Sequence, residues 1–162
     1  GYSLELAGYG TQTKTHQQVL SDFVQDMEEL LKENHGVLIY ASSTQAMLGM
    51  EADSYDTGGL YYPIENFCPD VRPASFANGI RPESLTIDDP AGHPYDTVKT
   101  VLTQLKNLGT DKNFLPMLQA DTDPASALEY TALQMEEQIR ALEECGITGY
   151  ILYSEQGSYP FS

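Results

Sequence analysis

Short apolar runs alternate with longer amphipathic segments along this chain, and that alternation constrains its fold more than any other feature. Three segments repeat apolar residues at the spacing of one helix face, which predicts helices over residues 15–34, 94–108 and 131–145. Five shorter runs predict strands over residues 2–6, 37–41, 66–73, 114–118 and 150–153. Strands and helices in alternation favour an α/β fold, a parallel β-sheet with alternating helices, in a single domain over residues 1–162.

Local signals mark the ends of these elements. Thr131 with Gln134 is a capping box at the start of the last helix. Glycines suited to a left-handed helix stop follow the three helices, at Gly36, Gly109 and Gly146. The run at 37–41 is continuously apolar, which is typical of a parallel strand buried on both faces. Residues 42–62 fit either a short helix or a long loop. Five strands would suit a small doubly wound sheet or part of a barrel.

The charge of the chain excludes some partners. The chain has 24 acidic and 8 basic residues, which gives a formal net charge of −16. A nucleic acid or an anionic membrane would be repelled by this charge. A neutral ligand such as a sugar stays open. No apolar run is long enough to cross a bilayer and no signal peptide is visible, while the start at Gly1 fits a chain trimmed of an upstream segment. An extracellular or cell-surface location is favoured, with the cytoplasm left open. Cys68 and Cys145 sit in apolar stretches and are predicted to be small core residues.

Four short motifs occur in an informative order. Residues 68–79 read C-P-D-V-R-P-A-S-F-A-N-G, residues 93–98 read H-P-Y-D-T-V, residues 115–119 read L-P-M-L-Q, and Gln138-Ile139 is followed by G-Y-I-L-Y-S at 149–154. In order and spacing they resemble C-P-M-V-Y-P-S-H-Y-A-N-G, H-P-Y-E-T-V, R-P-W-L-Q, and Q-I followed by G-W-I-L-W-N. These belong to a glycoside hydrolase-like family with a (β/α)₈-barrel fold, long described only as a domain of unknown function.

The resemblance implies the carboxyl-terminal half of a TIM barrel, strands four to eight, and a carbohydrate as substrate or ligand. The scaffold positions match better than the site positions. Asp70 stands where the family motif has methionine, Arg72 where it has tyrosine, and Ser75 where it has histidine. The tryptophans of the family motifs are all replaced. Glu5 stands where the first strand of the family carries aspartate, so a carboxylate is kept there.

Barrel enzymes act at the carboxyl ends of their strands, and this rule selects the candidate site. Glycoside hydrolysis needs two carboxyl groups about 5–5.5 Å apart for retention or about 6.5–9.5 Å for inversion. We predict Glu5 and Asp70 as the catalytic pair, with Asp70 and Glu155 as an alternative pair. Predicted binding residues, on the same rule and the family positions, are Arg72, Gln119, Asp121, Tyr153 and Glu155. A guanidinium could clamp a carboxylated sugar, and a tyrosine could stack against a sugar ring.

Plainer interpretations stand beside these. Asp70 could simply pair with Arg72, Gln119 could bond a neighbouring loop, and Tyr153 could be a buried barrel-end aromatic. The three histidines lie far apart in the sequence, no metal-ligand spacing is present, and no cofactor is predicted. Three hypotheses follow: a hydrolase completed by residues outside this chain, a non-catalytic carbohydrate-binding or scaffold module, and a half-barrel that forms a homodimer or contacts the missing half.

Overall fold

The computed structural model describes residues 2–3, 13–14, 16–48, 62–76, 87–121, 130–155, 157 and 159. Its elements, in chain order, are β1 (Tyr2–Ser3), β2 (Thr13–Lys14), α1 (His16–Glu33), β3 (Ile39–Ser43), α2 (Thr44–Met47), β4 (Asn66–Asp70), a 3₁₀ turn (Pro73–Phe76), α3 (Pro94–Asn107), β5 (Asn113–Phe114), β6 (Met117–Gln119), α4 (Ala132–Glu144) and β7 (Ile151–Tyr153). None of the helices in these ranges is long and apolar enough to span a membrane.

The main sheet is parallel, in the order β3-β4-β6-β7, with β5 also paired to β4. The registers Asn66↔Asn113 and Asp70↔Met117 have the same offset, so β5 and β6 behave as one strand interrupted before β6. Pro116 lies in that interruption and has no N–H to donate to a ladder. The predicted α/β fold with a parallel sheet and alternating helices is confirmed. Four parallel strands are half of the eight that a TIM barrel needs, which is consistent with the half-barrel interpretation.

Two strand predictions differ from the structure. β1 pairs with β2 in antiparallel register, Tyr2↔Lys14, and not with the parallel sheet. The nine residues between these strands suit an antiparallel return, since a parallel one needs a crossover of a dozen residues or more. The run predicted to be buried on both faces forms β3, whose residues alternate between exposed and half-buried. β3 is an outer strand of the described sheet, and Ile39 is 40% exposed.

The core lies between this sheet and helices α3 and α4. Val98, Val101, Leu102 and Leu105 form the buried stripe of α3, at the helical spacing that the sequence shows. From α4 the fully buried residues are Met135, Gln138, Ala141 and Leu142. The central strands contribute Phe67 and Leu118, also buried. The capping box of Thr131 and Gln134 is present, with the Thr131 N–H donating to Gln134 Oε1 at 2.9 Å. Both helices are thus fixed against the sheet, and the strand ends beside them are held in place.

The predicted glycine stop of α1 is wrong by one residue. His35, with a φ of 58°, takes the left-handed conformation in place of Gly36. Gly36 N–H donates to Leu31 O at 2.7 Å and His35 N–H to Lys32 O at 3.2 Å, the hydrogen-bond pair of a Schellman motif. A Cβ on Gly36 would lie 3.1 Å from Leu31 Cδ2 and 3.3 Å from Leu31 O, so Gly36 is favoured by close approach. Gly109 and Gly146 are left-handed as predicted, with φ of 66° and 71°.

Replacing His35 by glycine should raise the free energy of unfolding by about 1 kcal/mol, because the left-handed conformation costs a residue with a Cβ about that much. Urea unfolding followed by circular dichroism measures the change. Gly109→Ala is the opposite control. It adds a Cβ at a φ of 66° with no heavy atom within 4 Å, so it should destabilise by a similar amount through the backbone alone. A midpoint that does not move in His35→Gly would contradict the expectation.

Candidate functional site

The carboxyl ends of the parallel strands lie along one edge of the sheet, here called the carboxyl edge. β3, β4, β6 and β7 end there at Ser43, Asp70, Gln119 and Tyr153. Predicted site residues also follow the strands, with Arg72 after β4 and Asp121 and Glu155 after β6 and β7. Of the predicted set, all but Glu5 lie within the described residues. The predicted pairing of Glu5 with Asp70 stays a prediction, because Glu5 is outside them.

Asp70, Arg72 and Tyr153 form one stack at this edge. Arg72 Nε donates to Asp70 Oδ1 at 2.8 Å and Nη2 donates to Oδ2 at 2.7 Å, a bidentate ion pair. The Arg72 N–H also donates to Asp70 Oδ1 at 3.1 Å. On the other side, the guanidinium carbon lies 4.2 Å from the centre of the Tyr153 ring. Arg72 therefore links the end of β4 to the end of β7. Its ion pair with Asp70 is the plainer of the two interpretations made from the sequence, and its contact with Tyr153 was not predicted.

The stack is partly open to solvent. The side chains of Arg72 and Asp70 are 28% and 23% exposed, and Tyr153 is 37% exposed. Water weakens such a pair, so its contribution to stability is about 1 kcal/mol or less, although its geometry is bidentate. The stack therefore contributes little to the stability of the fold and leaves a carboxylate, a guanidinium and an aromatic ring partly accessible at this edge.

Gln119 lies behind this stack and is buried, with 3% of its surface exposed. Its Oε1 accepts from Ala74 N–H at 2.9 Å, and its Nε2 donates to Asp121 O at 3.0 Å. The side-chain amide therefore ties the turn after β4 to the loop after β6, which is the plainer of the two interpretations made from the sequence. A direct contact between Gln119 and a ligand stays a prediction. In the structure this residue positions the loops that carry the others.

Gln138 was not selected as a site residue, although the side chain is fully buried on α4. Its Oε1 accepts from Gln119 N–H at 3.0 Å, and its Nε2 donates to Gln119 O at 2.9 Å. In the ladder between β4 and β6, Val71 N–H donates to Met117 O, so the next bond would run from the nitrogen of residue 73 to Gln119 O. Residue 73 is proline and has no N–H, so this bond cannot form. The Gln138 amide supplies that missing partner. The sequence did carry a signal for Gln138: it is a polar residue on the apolar face of a predicted helix, and it is the glutamine of the Q-I pair in the family pattern.

Other hydrogen bonds hold the neighbouring loops. Thr44 Oγ1 donates to the backbone oxygen of Asp70 at 2.7 Å, which ties the end of β3 to the end of β4. Ser154 Oγ donates to Asp121 Oδ2 at 2.6 Å, which ties the ends of β6 and β7. Glu155 is exposed just beyond β7. Neither Thr44 nor Ser154 was selected from the sequence, because a hydroxyl next to a strand end carries no distinctive pattern.

Cys68 lies in β4, two residues before Asp70, and is a free, buried thiol. Burial, followed by the nearby charge of Asp70, raises its pKa to about 11, while the charge of Arg72 opposes the shift. The thiol therefore stays protonated at neutral pH and is a poor nucleophile. Cys145 is also free and buried. The prediction that both cysteines are small core residues is confirmed.

Residues 3–159 match the family described as "Putative glycosyl hydrolase domain". The chain belongs to this family. The match covers nearly the whole of the 162 residues, in agreement with the resemblance carried by the short motifs. No match is found among curated proteins.

Asp70, Arg72 and Tyr153 meet at the carboxyl edge, where the rule for barrel enzymes led us to expect a site. Within the described ranges no group of three histidine, cysteine, aspartate or glutamate side chains is placed to hold a metal ion. The carboxyl edge brings the Asp70 carboxylate, the Arg72 guanidinium and the Tyr153 ring into contact, and two further carboxylates, Asp121 and Glu155, follow β6 and β7.

Proposed function

We propose that this chain binds a carbohydrate at the carboxyl edge, on the stack of Asp70, Arg72 and Tyr153. The observation that carries the proposal is the joining of these three side chains across β4, β6 and β7. Family membership supports it, because the description of the family, "Putative glycosyl hydrolase domain", points to a carbohydrate. The net charge of −16 also supports it, since a neutral sugar is not repelled by an acidic surface.

The chemistry of the stack suits a sugar. A sugar ring has an apolar face formed by its C–H groups and a rim of hydroxyls. The partly exposed Tyr153 ring offers an apolar surface for the face of the sugar. Carboxylate oxygens accept from hydroxyls and a guanidinium donates to them, so Asp70 and Arg72 provide both kinds of partner for the hydroxyls of the sugar. A uronic acid would add a carboxylate that could bind guanidinium in competition with Asp70.

Hydrolysis is the second candidate function. It is favoured by the description of the family and by the carboxylate of Asp70 at the end of β4, although the family motif has methionine at that position. The reaction needs a second carboxyl group across the glycosidic bond, and we propose Glu5 for that role, with Asp70 as the nucleophile or base. Both oxygens of Asp70 accept from Arg72, and the carboxylate keeps lone pairs for a substrate or a water. Hydrolysis needs the second carboxyl group at the right separation, while binding needs only the stack, and we therefore rank binding first.

The experiment that tests the proposal compares two tyrosines of the same strand region. Tyr153 is 37% exposed at the carboxyl end of β7, and Tyr150 is 39% exposed just before its amino end. A panel of neutral and uronic acid oligosaccharides is screened on the unmodified chain, and dissociation constants are measured by calorimetry. Loss of one stacking contact should weaken binding about tenfold in Tyr153→Ala. Tyr150→Ala should bind like the unmodified chain.

The two candidate functions separate in the same assay. If an oligosaccharide is cleaved, Asp70→Asn should abolish turnover and leave its binding within a few-fold. If it is bound and not cleaved, the chain is a binding module. Absence of binding to every oligosaccharide, or an equal loss in Tyr153→Ala and Tyr150→Ala, would overturn the proposal.

A further inference from the structure

A cavity lies at the opposite end of the sheet, where β5 and β7 begin. It has a volume of about 470 Å³ and is bounded by the segment from α3 to β5 and the segment from α4 to β7. This volume falls within the range of small-molecule pockets in proteins. Because it lies at the amino ends of the strands, it is separate from the carboxyl edge and from the carbohydrate site proposed there. We call it the amino-end cavity.

Two lysines, Lys106 and Lys112, line this cavity, and no aspartate or glutamate of the described residues does. Lys106 Nζ donates to Cys145 O at 2.6 Å, and Lys112 Nζ donates to Tyr62 O and Ile64 O at 2.9 and 2.7 Å. All these partners are neutral carbonyls. Neither lysine forms an ion pair within the described part of the chain. In a protein with 24 acidic and 8 basic residues, two cations without a carboxylate partner at one cavity are a notable local excess.

The helix ends at the cavity reduce this positive charge without cancelling it. α3 ends at Asn107 and α4 at Glu144, and each helix carboxyl terminus carries an effective charge of about −0.5. Two ammonium groups against two such ends leave an excess of roughly one positive charge. An ammonium group has three donors, and the bonds above use one of them in Lys106 and two in Lys112. The cavity therefore keeps both charge and hydrogen-bond donors for an anion.

We propose that the amino-end cavity binds a small organic anion, with a phosphate or carboxylate group between Lys106 and Lys112. Thr110 and Thr148 also line the cavity and offer hydroxyls to the polar body of the ligand. A concave site lined by one sign of charge concentrates ions of the opposite sign. The overall negative charge of the protein opposes the approach of an anion, so affinity must come from contacts inside the cavity.

The test is a titration followed by ¹⁵N–¹H NMR of the whole chain, with the amides of Gly146 and Gly149 as reporters because both line the cavity. Inorganic phosphate, glucose 6-phosphate and glucuronate are added separately, with sodium chloride at matched ionic strength as the screening control. The expected result is a saturable shift of both reporters with at least one of the three anions. Saturation by the phosphates alone identifies a phosphate site, and saturation by glucuronate identifies a carboxylate site.

Variants locate the site. Loss of one charged hydrogen bond in Lys106→Met should weaken binding about tenfold. Lys99→Met is the matched control, because Lys99 is also on α3 and also contacts the end of α4, through Glu144, without lining the cavity. Thr148→Val is the second variant, for use if Lys106→Met does not fold. It keeps both lysines, and it should weaken binding because it removes a hydroxyl that lines the cavity. Linear shifts equal to those with sodium chloride, or equal weakening by Lys106→Met and Lys99→Met, would overturn the proposal.

Discussion

Replacing Gln138 by leucine should lower the free energy of unfolding by about 3 kcal/mol. The substitution keeps a side chain of similar size in the core but removes the partners of Gln119 N–H and Gln119 O, bonded at 3.0 and 2.9 Å. Each buried backbone group left without a partner costs about 1–3 kcal/mol. For a chain of this size the melting temperature should fall by roughly 6–12 °C. Thermal and urea unfolding monitored by circular dichroism measure both quantities.

Gln25→Leu is the matched control for this prediction. Gln25 is also a helical glutamine that forms a side-chain hydrogen bond, to Glu29 Oε1 at 3.1 Å, but the bond is exposed on α1. Water can replace it, so the change in unfolding free energy should stay within about 0.5 kcal/mol. A Gln138→Leu protein as stable as Gln25→Leu would mean that the end of β6 is satisfied in some other way, and that the amide does not replace the missing ladder bond.

Helices were predicted from the sequence to within a residue or two, because the apolar period of a helix is set locally. The stripe of Val98, Leu102 and Leu105 on α3 needed no knowledge of the rest of the chain. The end of α1 was missed by one residue for a physical reason. Both His35 and Gly36 could end the helix in a Schellman motif. In the structure His35 takes the positive φ, and Gly36 lies so close to Leu31 that a Cβ there would be crowded.

Burial of the strands was harder to predict, since it depends on neighbours that are distant in sequence. The apolar run before Ser42 was expected to be covered on both faces, yet Val37 is 69% exposed beside an outer strand. Proline is rare inside strands because it has no N–H to donate to the ladder, yet Pro69 lies in β4. Its nitrogen faces Leu115 across the ladder, so the strand loses one hydrogen bond and keeps the others on both sides.

The candidate site was predicted in part. One rule, that the carboxyl ends of parallel strands meet at one edge, selected Asp70, Arg72 and Tyr153, and the structure brings them together. The same rule could not select Gln138, which lies in the middle of a helix. Gln138 bonds Gln119 O, which lacks a partner in the sheet because Pro73, 65 positions before Gln138 in the chain, has no N–H to donate. Such a dependence becomes visible only when the strand register is known.

Replacing Gln119 by leucine should affect both stability and ligand binding. Ala74 N–H and Asp121 O would lose the amide that joins them, at a cost of about 2 kcal/mol in unfolding free energy. The turn after β4 would also lose its tie to β6, and Arg72 lies two residues before Ala74. Because a site loosened by about 1 Å binds poorly, we expect the affinity for an oligosaccharide bound by the unmodified chain to fall about tenfold.

Comparison with Gln138→Leu separates positioning from stability. Gln138 bonds the backbone of Gln119 and two groups of its own helix, Gln134 O and Met135 Sδ. Its loss should destabilise the fold at least as much and change affinity less, while the Gln119 side chain still holds Ala74 and Asp121. A readout that needs no sugar is the Arg72 Nε–H resonance, which reports the bond to Asp70. This signal should shift or broaden in Gln119→Leu and stay sharp in Gln25→Leu. An unchanged Arg72 resonance and an unchanged affinity in Gln119→Leu, despite a lower melting temperature, would reduce Gln119 to a residue of the core with no role in arranging the site.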